Sequence, residues 1–353
     1  MRISIALLDK DKEYTKRLVK GLQLNYEKEL SLRVFSEPEL FLNEIVTQHF
    51  DVTIMDYEFI HLMDKLPNST VIAIFVQDNS IDEIEKIPAV GRYQKIENIY
   101  KRIISIYADN AADIKVKTNN KKSNTVLFTS AQGGCGTSTV AAAYAISLAR
   151  RGKKVLYLNL ENFGSSSLFF HGEGQGSFSD VIYAIKSTNV NFLMKLSTVI
   201  KKDLSGVEYI EDCRNAFDML EIKDSEIEGL MNGIYQSKGY DVVVVDYSAA
   251  LSDRQLLLMK EMVDSIIYVN DGSDIGNQKF QKFSEVIRVI EKKENCSILP
   301  KISLIYNRYS SQTSRQLEKL PVALLGGISR IEGISGRELI NRISENTMLA
   351  NIK

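Results

Sequence analysis

The stretch TVLFTSAQGGCGTSTVAAAYAISLARRGKKVLYLNL, Thr125 to Leu160, constrains this chain more than any other. A short apolar run reads as a buried strand. A turn holding Gly133, Gly134 and Gly136 follows. Thr137, Ser138 and Thr139 then open an alanine-rich helix that stops at Gly152, and KKVLYLNL is a second strand. Glycines permit positive φ and let backbone N–H groups approach a ligand closely. A strand, a tight glycine turn and a helix N-terminus together make an anion site, because the uncapped N–H groups and the helix dipole both favour negative charge. The spacing therefore predicts phosphate binding by Gln132, Gly133, Gly134, Cys135, Gly136, Thr137, Ser138 and Thr139. The Ser138 hydroxyl is placed for Mg²⁺ and that of Thr139 for an α-phosphate. Phosphate loops normally carry a lysine, and this one has none.

The same alternation of strand and helix runs through the rest of the chain. RISIALL, SLRVF, DVTIMD and VIAIFV read as strands before residue 108, with KEYTKRLVKGLQL, EPELFLNEIVTQ and ENIYKRIISIYA as helices. After residue 124 the apolar runs YDVVVVDY, SIIYVN and ISLIYNR fit strands buried on both faces of a parallel sheet. Between the two series lies DNAADIKVKTNNKKSN, polar and without hydrophobic period. The expected organisation is a domain over 1–108, a linker over 109–123 and a domain over 124–353, each a doubly wound parallel-sheet α/β unit. A long surface loop within one domain is the alternative to the linker.

Composition excludes several classes. Lys and Arg total 44 against 45 Asp and Glu, a formal net charge of -1, so no global basic field attracts nucleic acid or an acidic membrane. Cys135, Cys213 and Cys296 are odd in number and scattered, which fits a reducing cytoplasm and neither a disulfide framework nor a zinc site. His49, His61 and His171 have no paired-ligand spacing, and no GxSxG elbow is present. The start MRISIALLDKDKE turns charged too early for a signal peptide, and no apolar run approaches the roughly 18 residues of a membrane span. SGRELINRISENTMLANIK reads as a packed terminal helix rather than one lying on a membrane, so membrane contact is at most peripheral. HGEGQG, His171 to Gly176, lacks a strand–turn–helix setting and reads as a mobile, switch-like loop.

The segment from Ser130 resembles the deviant Walker A loop of the MinD/ParA family of ATPases, whose pattern is Lys-Gly-Gly-x-Gly-Lys-[Ser/Thr]-Thr. The resemblance continues in order through GSFSDVIYAI, GVEYI, YDVVVVDYSAA, VDSIIYVNDGSD and LIYNRY, about two thirds of the chain. It implies ATP and Mg²⁺ as cofactors and a homodimer. It implies that Asp246 is the Walker B carboxylate holding Mg²⁺ through water, that Glu161 orients the attacking water, and that Asn307 reads the adenine edge with Arg308 beside it. The departures are as informative. The family's signature lysine is Gln132 and its second lysine is Thr137. The first switch is Asn159-Leu160-Glu161, and the second is Asp246-Tyr247-Ser248-Ala249-Ala250, without Pro or Gly. A lysine about 4 Å from a phosphate oxygen contributes up to ~4 kcal/mol at an effective dielectric near 20. Backbone donors can hold a nucleotide without it. Phosphoryl transfer suffers more, since losing one preorganised donor costs about 10²–10³ in rate. The expectation is ATP binding with slow or absent hydrolysis.

Residues 2–106 resemble a response-regulator receiver. Asp56 falls on the phosphoacceptor position and Asp9 on one of the paired acids, while Lys95 falls near the receiver's lysine. The second acid is Lys10 and the switch hydroxyl is Phe75. Mg²⁺ wants several oxygen ligands, and a lysine in their place supplies the wrong charge. This unit is therefore expected to be a receiver-shaped platform for protein contacts.

The combination resembles the TadZ/CpaE group. That implies a cytoplasmic, ATP-binding, dimer-forming factor that places and assembles a Tad (Flp, type IVb) pilus or related secretion machine, at a cell pole or the membrane periphery, with pilus or secretion assembly proteins as partners and no nucleic acid. Two alternatives stand beside it: an active ATPase in septum placement or DNA partition, and a response regulator with a nucleotide-binding output.

Overall fold

The structure is a computed structural model, and it describes residues 2–110, 123–188, 190–237, 239–247 and 251–352. Most of the expected linker, and Ser248-Ala249-Ala250 of the expected second switch, lie outside the described residues. The chain divides into two compact units. One comprises Met1–Lys117 with Ala184–Thr198, and the other comprises Thr118–Tyr183 with Val199–Lys353.

In the first unit, strands β1 (Ile3–Leu8), β2 (Leu30–Phe35), β3 (Val52–Asp56), β4 (Val71–Val76), β5 (Glu83–Ile84) and β6 (Ile87–Gly91) form one sheet in the order β2-β1-β3-β4-β6-β5. All pairings are parallel except the β5–β6 hairpin. Glu85 and Lys86 between those two strands both have positive φ, the conformation a tight two-residue hairpin turn requires. Asp11 caps the helix Lys12–Tyr26 by accepting from Tyr14 N, and the Thr15, Leu18 and Leu22 stripe of that helix is buried. The helix Ile96–Ala108 buries Ile99, Ile103 and Ile104 on the same side of the sheet as Ile5, Ile54, Phe75 and Val90. Helix Pro38–Thr47 covers the other side, where Leu8, Phe41, Met55 and Ile74 pack.

Residues 184–198 reach this unit from far along the chain. Asn191 N donates to Ala108 O at 2.8 Å, and Met194 packs on the core. Lys195 is only 6% exposed, its ammonium bonding Ser105 Oγ at 2.9 Å and Asp109 at 2.7 Å.

The second unit is built on eight strands: β7 (Asn124–Thr129), β8 (Val155–Asn159), β9 (Lys201–Lys202), β10 (Glu208–Tyr209), β11 (Val242–Asp246), β12 (Ser265–Asn270), β13 (Ile302–Tyr309) and β14 (Ala323–Ser329). Their order is β14-β13-β12-β7-β11-β8-β10-β9, parallel throughout except β9–β10. The apolar runs read as two-faced strands are buried accordingly: every residue of β8 and β11 is buried. Strand β7 lies centrally, so the glycine turn that follows it opens at the carboxyl edge of the sheet, where open α/β sheets bind ligands. The terminal helix Gly336–Ser344 packs through Ile340 and Ile343, with Leu349 and Ile352 joining the same core. HGEGQG is anchored rather than loose: His171 N donates to Asp203 Oδ1 and Gly172 N to the Tyr209 hydroxyl. Asp203 is itself gripped by both Nη atoms of Arg337, at 2.7 and 2.8 Å. Among the described residues, no helix is long and apolar enough to cross a membrane.

Candidate functional site

The loop after β7 takes its shape from its glycines and from what braces it. Gly134 and Gly136 have φ of +76° and +87°, the left-handed region that side chains resist. A Cβ at Gly136 would also run into Asn307 Nδ2, whereas one at Gly133 or Gly134 would meet nothing within 4 Å. The loop is thus closed toward the sheet and open on its outer side. Cys135 is buried and staples the turn from below, its sulfur 3.3 Å from both Gln132 O and Thr137 Oγ1. Gly136 precedes the helix Thr137–Arg150 without any side-chain cap bond, so no capping group competes with an anion there.

The two positions that lost lysine face elsewhere. Gln132 turns its amide nitrogen to Asp271 Oδ2 at 2.7 Å, in the loop after β12. Thr137 is 3% exposed and its hydroxyl meets the Cys135 sulfur.

Asp246 ends β11 in register with Phe128 of β7 and Asn159 of β8. It is fully buried. The Tyr157 hydroxyl donates to Oδ2 at 2.7 Å, while Oδ1 has no hydrogen-bond partner. Burial pushes this carboxyl up to about 6, against the pull of the Tyr157 and Ser138 hydroxyls. The Ser138 hydroxyl favours the charged form without completing a bond to Oδ1. Burial and the neighbouring carboxylate push the Tyr157 phenol well above its ordinary value, so it remains a donor. Glu161 stands two residues beyond β8, part-exposed, its backbone N–H bonded to Asn159 Oδ1 at 2.8 Å.

Six buried polar side-chain atoms lack a hydrogen-bond partner among the described residues, and four of them belong to the loop or to residues at the same edge of the sheet: Gln132 Oε1, Asn159 Nδ2, Asp246 Oδ1 and Gln255 Oε1. Buried polar atoms are ordinarily satisfied, so a cluster of orphans at one edge of a sheet marks a place prepared for a polar ligand or its water. An unpartnered carboxylate oxygen beside a serine hydroxyl fits the hard-oxygen preference of Mg²⁺.

Beside the loop a cavity of about 470 Å³ is lined by Thr139, Asn307, Arg308, Arg330, Glu332 and Ser335 among others. Its far wall, residues 329–336, has no counterpart in the sequence reading. Asn307 is 2% exposed and gives its Nδ2 to Cys135 O at 2.8 Å, so that donor braces the loop. Arg308 has φ of +54° and donates from Nη1 to Gly134 O at 2.7 Å.

In the first unit, Asp9 and Asp56 meet at a cation the sequence reading did not name. Arg92 follows β6 directly and is 5% exposed. Its guanidinium grips Asp9 with two nitrogens, at 2.6 and 3.0 Å, and also donates to Asp56 Oδ2. The rings of Tyr14 and Phe75 flank it, 4.9 and 4.8 Å from the guanidinium carbon. Burial opposes a charged Asp9, yet Arg92, Asp11 N and the Thr15 hydroxyl hold its carboxyl below the ordinary value. Lys95 lies three residues on, exposed, at the start of the helix Ile96–Ala108. Lys10 pairs with Glu58 at 2.6 Å on the surface. A fixed guanidinium therefore stands between the two acids.

Residues 126–348 match the family model of the CobQ/CobB/MinD/ParA nucleotide binding domain, and residues 1–108 match that of a TadZ-like receiver domain. Among solved structures, a ParA family ATPase from Chlorobium tepidum TLS is similar at 18% identity and a TM-score of 0.53, over 66% of this chain and 97% of that one. The septum site-determining protein MinD from Pyrococcus horikoshii OT3, complexed with Mg-ADP, aligns at 20% identity and a TM-score of 0.43, over 63% of this chain and 86% of that one. No curated protein matches the chain. The glycine loop, the buried strand-end aspartate and the matched span agree: the chain belongs to the CobQ/CobB/MinD/ParA nucleotide-binding family and carries a TadZ-like receiver domain ahead of that domain.

Proposed function

We propose that this chain holds ATP and Mg²⁺ without appreciable turnover, and that the bound nucleotide stabilises a homodimer serving as a localisation and assembly factor for a Tad-type pilus or related secretion machine. The observation that carries the reading is the division within the site. The open glycine cradle and the orphaned Asp246 carboxylate are present. The side chains at the two lysine positions are engaged elsewhere, Gln132 on Asp271 and Thr137 on Cys135.

In this reading the loop N–H groups and Thr139 bind the phosphates. Ser138 and Asp246 hold the metal, and Asn307 borders the nucleoside. Glu161 is placed to orient a water. When bound, Mg²⁺ supplies charge neutralisation on the phosphate oxygens. The loop brings no cationic side chain to stabilise charge on a transferring phosphoryl group, which is what phosphoryl transfer chiefly depends on. Binding is thereby uncoupled from chemistry, and the nucleotide acts by shifting the population toward the state it prefers. The TadZ-like receiver match supports the pilus role, and the Arg92 clamp between Asp9 and Asp56 supports a platform rather than a phosphorylation switch. A cytoplasmic site at a cell pole or the membrane periphery goes with this role.

Calorimetric ATP titration with Mg²⁺, beside a separate phosphate-release assay on the same preparation, tests the proposal. The expected result is saturable binding with release at the level of the blank. Turnover stimulated by DNA or by lipid vesicles would replace it with an active partition or septum-type ATPase.

A further inference from the structure

Residues 130–139 contain no lysine or arginine, so any cation facing the phosphates must come from elsewhere in the fold. The pairing of β13 with β14 shifts register between Tyr306 and Tyr309. Such irregularities re-aim side chains and occur next to active sites. Here the two residues inside the irregularity, Asn307 and Arg308, both reach the glycine loop. They grasp successive carbonyls: Asn307 takes Cys135 O at 2.8 Å and Arg308 takes Gly134 O at 2.7 Å. Arg308 does so from a left-handed backbone, φ +54°, which a non-glycine residue keeps only where its surroundings impose it.

From these observations we infer that Arg308 is the phosphate-reading cation of this site, a charge supplied from β13 in place of the loop's own lysines. The inference rests on the nucleotide-binding reading above and adds to it a residue that discriminates by phosphate rather than by base. A guanidinium has five N–H donors in a planar fork. One is engaged on Gly134 O, and the residue is exposed and lines the same cavity as Thr139. Its geometry suits a bidentate contact to phosphate oxygens that an ammonium cannot reproduce. The other charged side chains on the cavity wall, Arg330 and Glu332, pair with each other at 3.3 Å.

The test is a ladder of AMP, ADP and ATP titrated with Mg²⁺ into the full chain, as wild type, Arg308→Gln, Arg308→Lys and Arg308→Gly. The wild type should tighten from AMP to ATP. Arg308→Gln should flatten the ladder, losing about tenfold or more for ATP while AMP changes little, and Arg308→Lys should recover part of that loss. Arg308→Gly relieves the backbone, so it keeps the fold and should flatten the ladder equally. Equal losses for AMP and ATP, or a glycine variant that keeps the full ladder, overturn the assignment alone. A wild-type chain that binds none of the three overturns the nucleotide reading with it.

Discussion

In the proposed reading, Asp246 trades stability for a ligand. Its carboxyl is fully buried, and its value is raised from 3.8 to about 6 chiefly by desolvation. The sign follows from linkage. A folded-state value above the unfolded one means that folding prefers the protonated acid. The charged form therefore costs stability at every pH above about 6, and the cost disappears as the pH falls toward 4. Roughly two units correspond to about 2–3 kcal/mol. Asp246→Asn removes the charge at all pH values. Its amide oxygen can still accept from Tyr157, and its nitrogen can turn toward the Ser138 hydroxyl. The variant should therefore be more stable than the wild type by about 1–3 kcal/mol at pH 8, with the gain vanishing near pH 4, while Mg²⁺-dependent ATP binding is lost. Chemical denaturation of both ligand-free proteins at the two pH values decides it. An Asn variant less stable than wild type at pH 8 would show that the carboxylate is held by structure alone.

At the scale of elements, the glycine loop separates two kinds of glycine. Gly136 needs both its φ of +87° and the space that Asn307 fills, whereas a Cβ on Gly133 would enter open space. Gly136→Ala should cost on the order of 1–2 kcal/mol of stability and at least tenfold in ATP affinity. Gly133→Ala should melt like the wild type. Thermal melts of the two variants side by side check this, and equal destabilisation would contradict it. The loop was legible in the sequence because strand, glycines and helix follow one another without interruption from Thr125 to Arg150. So were β1, β2, β3, β4, β7, β8, β11, β12 and β13, each of which carries a run rich in apolar residues. Four strands were not read: β5 and β9, of two residues each, and the longer β6 and β14. Pro88 and Gly91 break the pattern of β6, and Gly326 with Gly327 breaks that of β14. The two longer omissions each hid a piece of a candidate site. Arg92 follows β6 directly, and without that strand the nearest visible cation was Lys95. The cavity wall at residues 329–336 begins at the end of β14. The Tyr157 contact to Asp246 was illegible for another reason: it joins adjacent strands across the sheet, and no local spacing encodes it.

At the scale of the whole molecule, order along the chain and order in space part at residues 184–198. These follow β8 and Glu161 in sequence yet belong to the unit built by the N-terminal residues. The attachment is specific. Lys195 loses its freedom to Ser105 and Asp109, and Val190 and Leu196 are 6% and 0% exposed. An ammonium and two aliphatic side chains buried this way depend on the residues that cover them, since a buried cation without partners is costly. A fragment of residues 123–353 removes Ser105, Asp109 and the Ile96–Ala108 helix together. Lys195 should then become a trypsin site. In the full chain it is inaccessible, and cleavage there requires local opening whose free energy the buried ion pair raises. Limited proteolysis read by mass spectrometry should find an early cut after Lys195 in the fragment and a delayed one in the intact chain. Lys202, exposed on β9 of the other unit, serves as the reference and should be cut at similar rates in both. Equal protection of Lys195 in the two proteins would mean that residues 184–198 hold their conformation without the N-terminal residues.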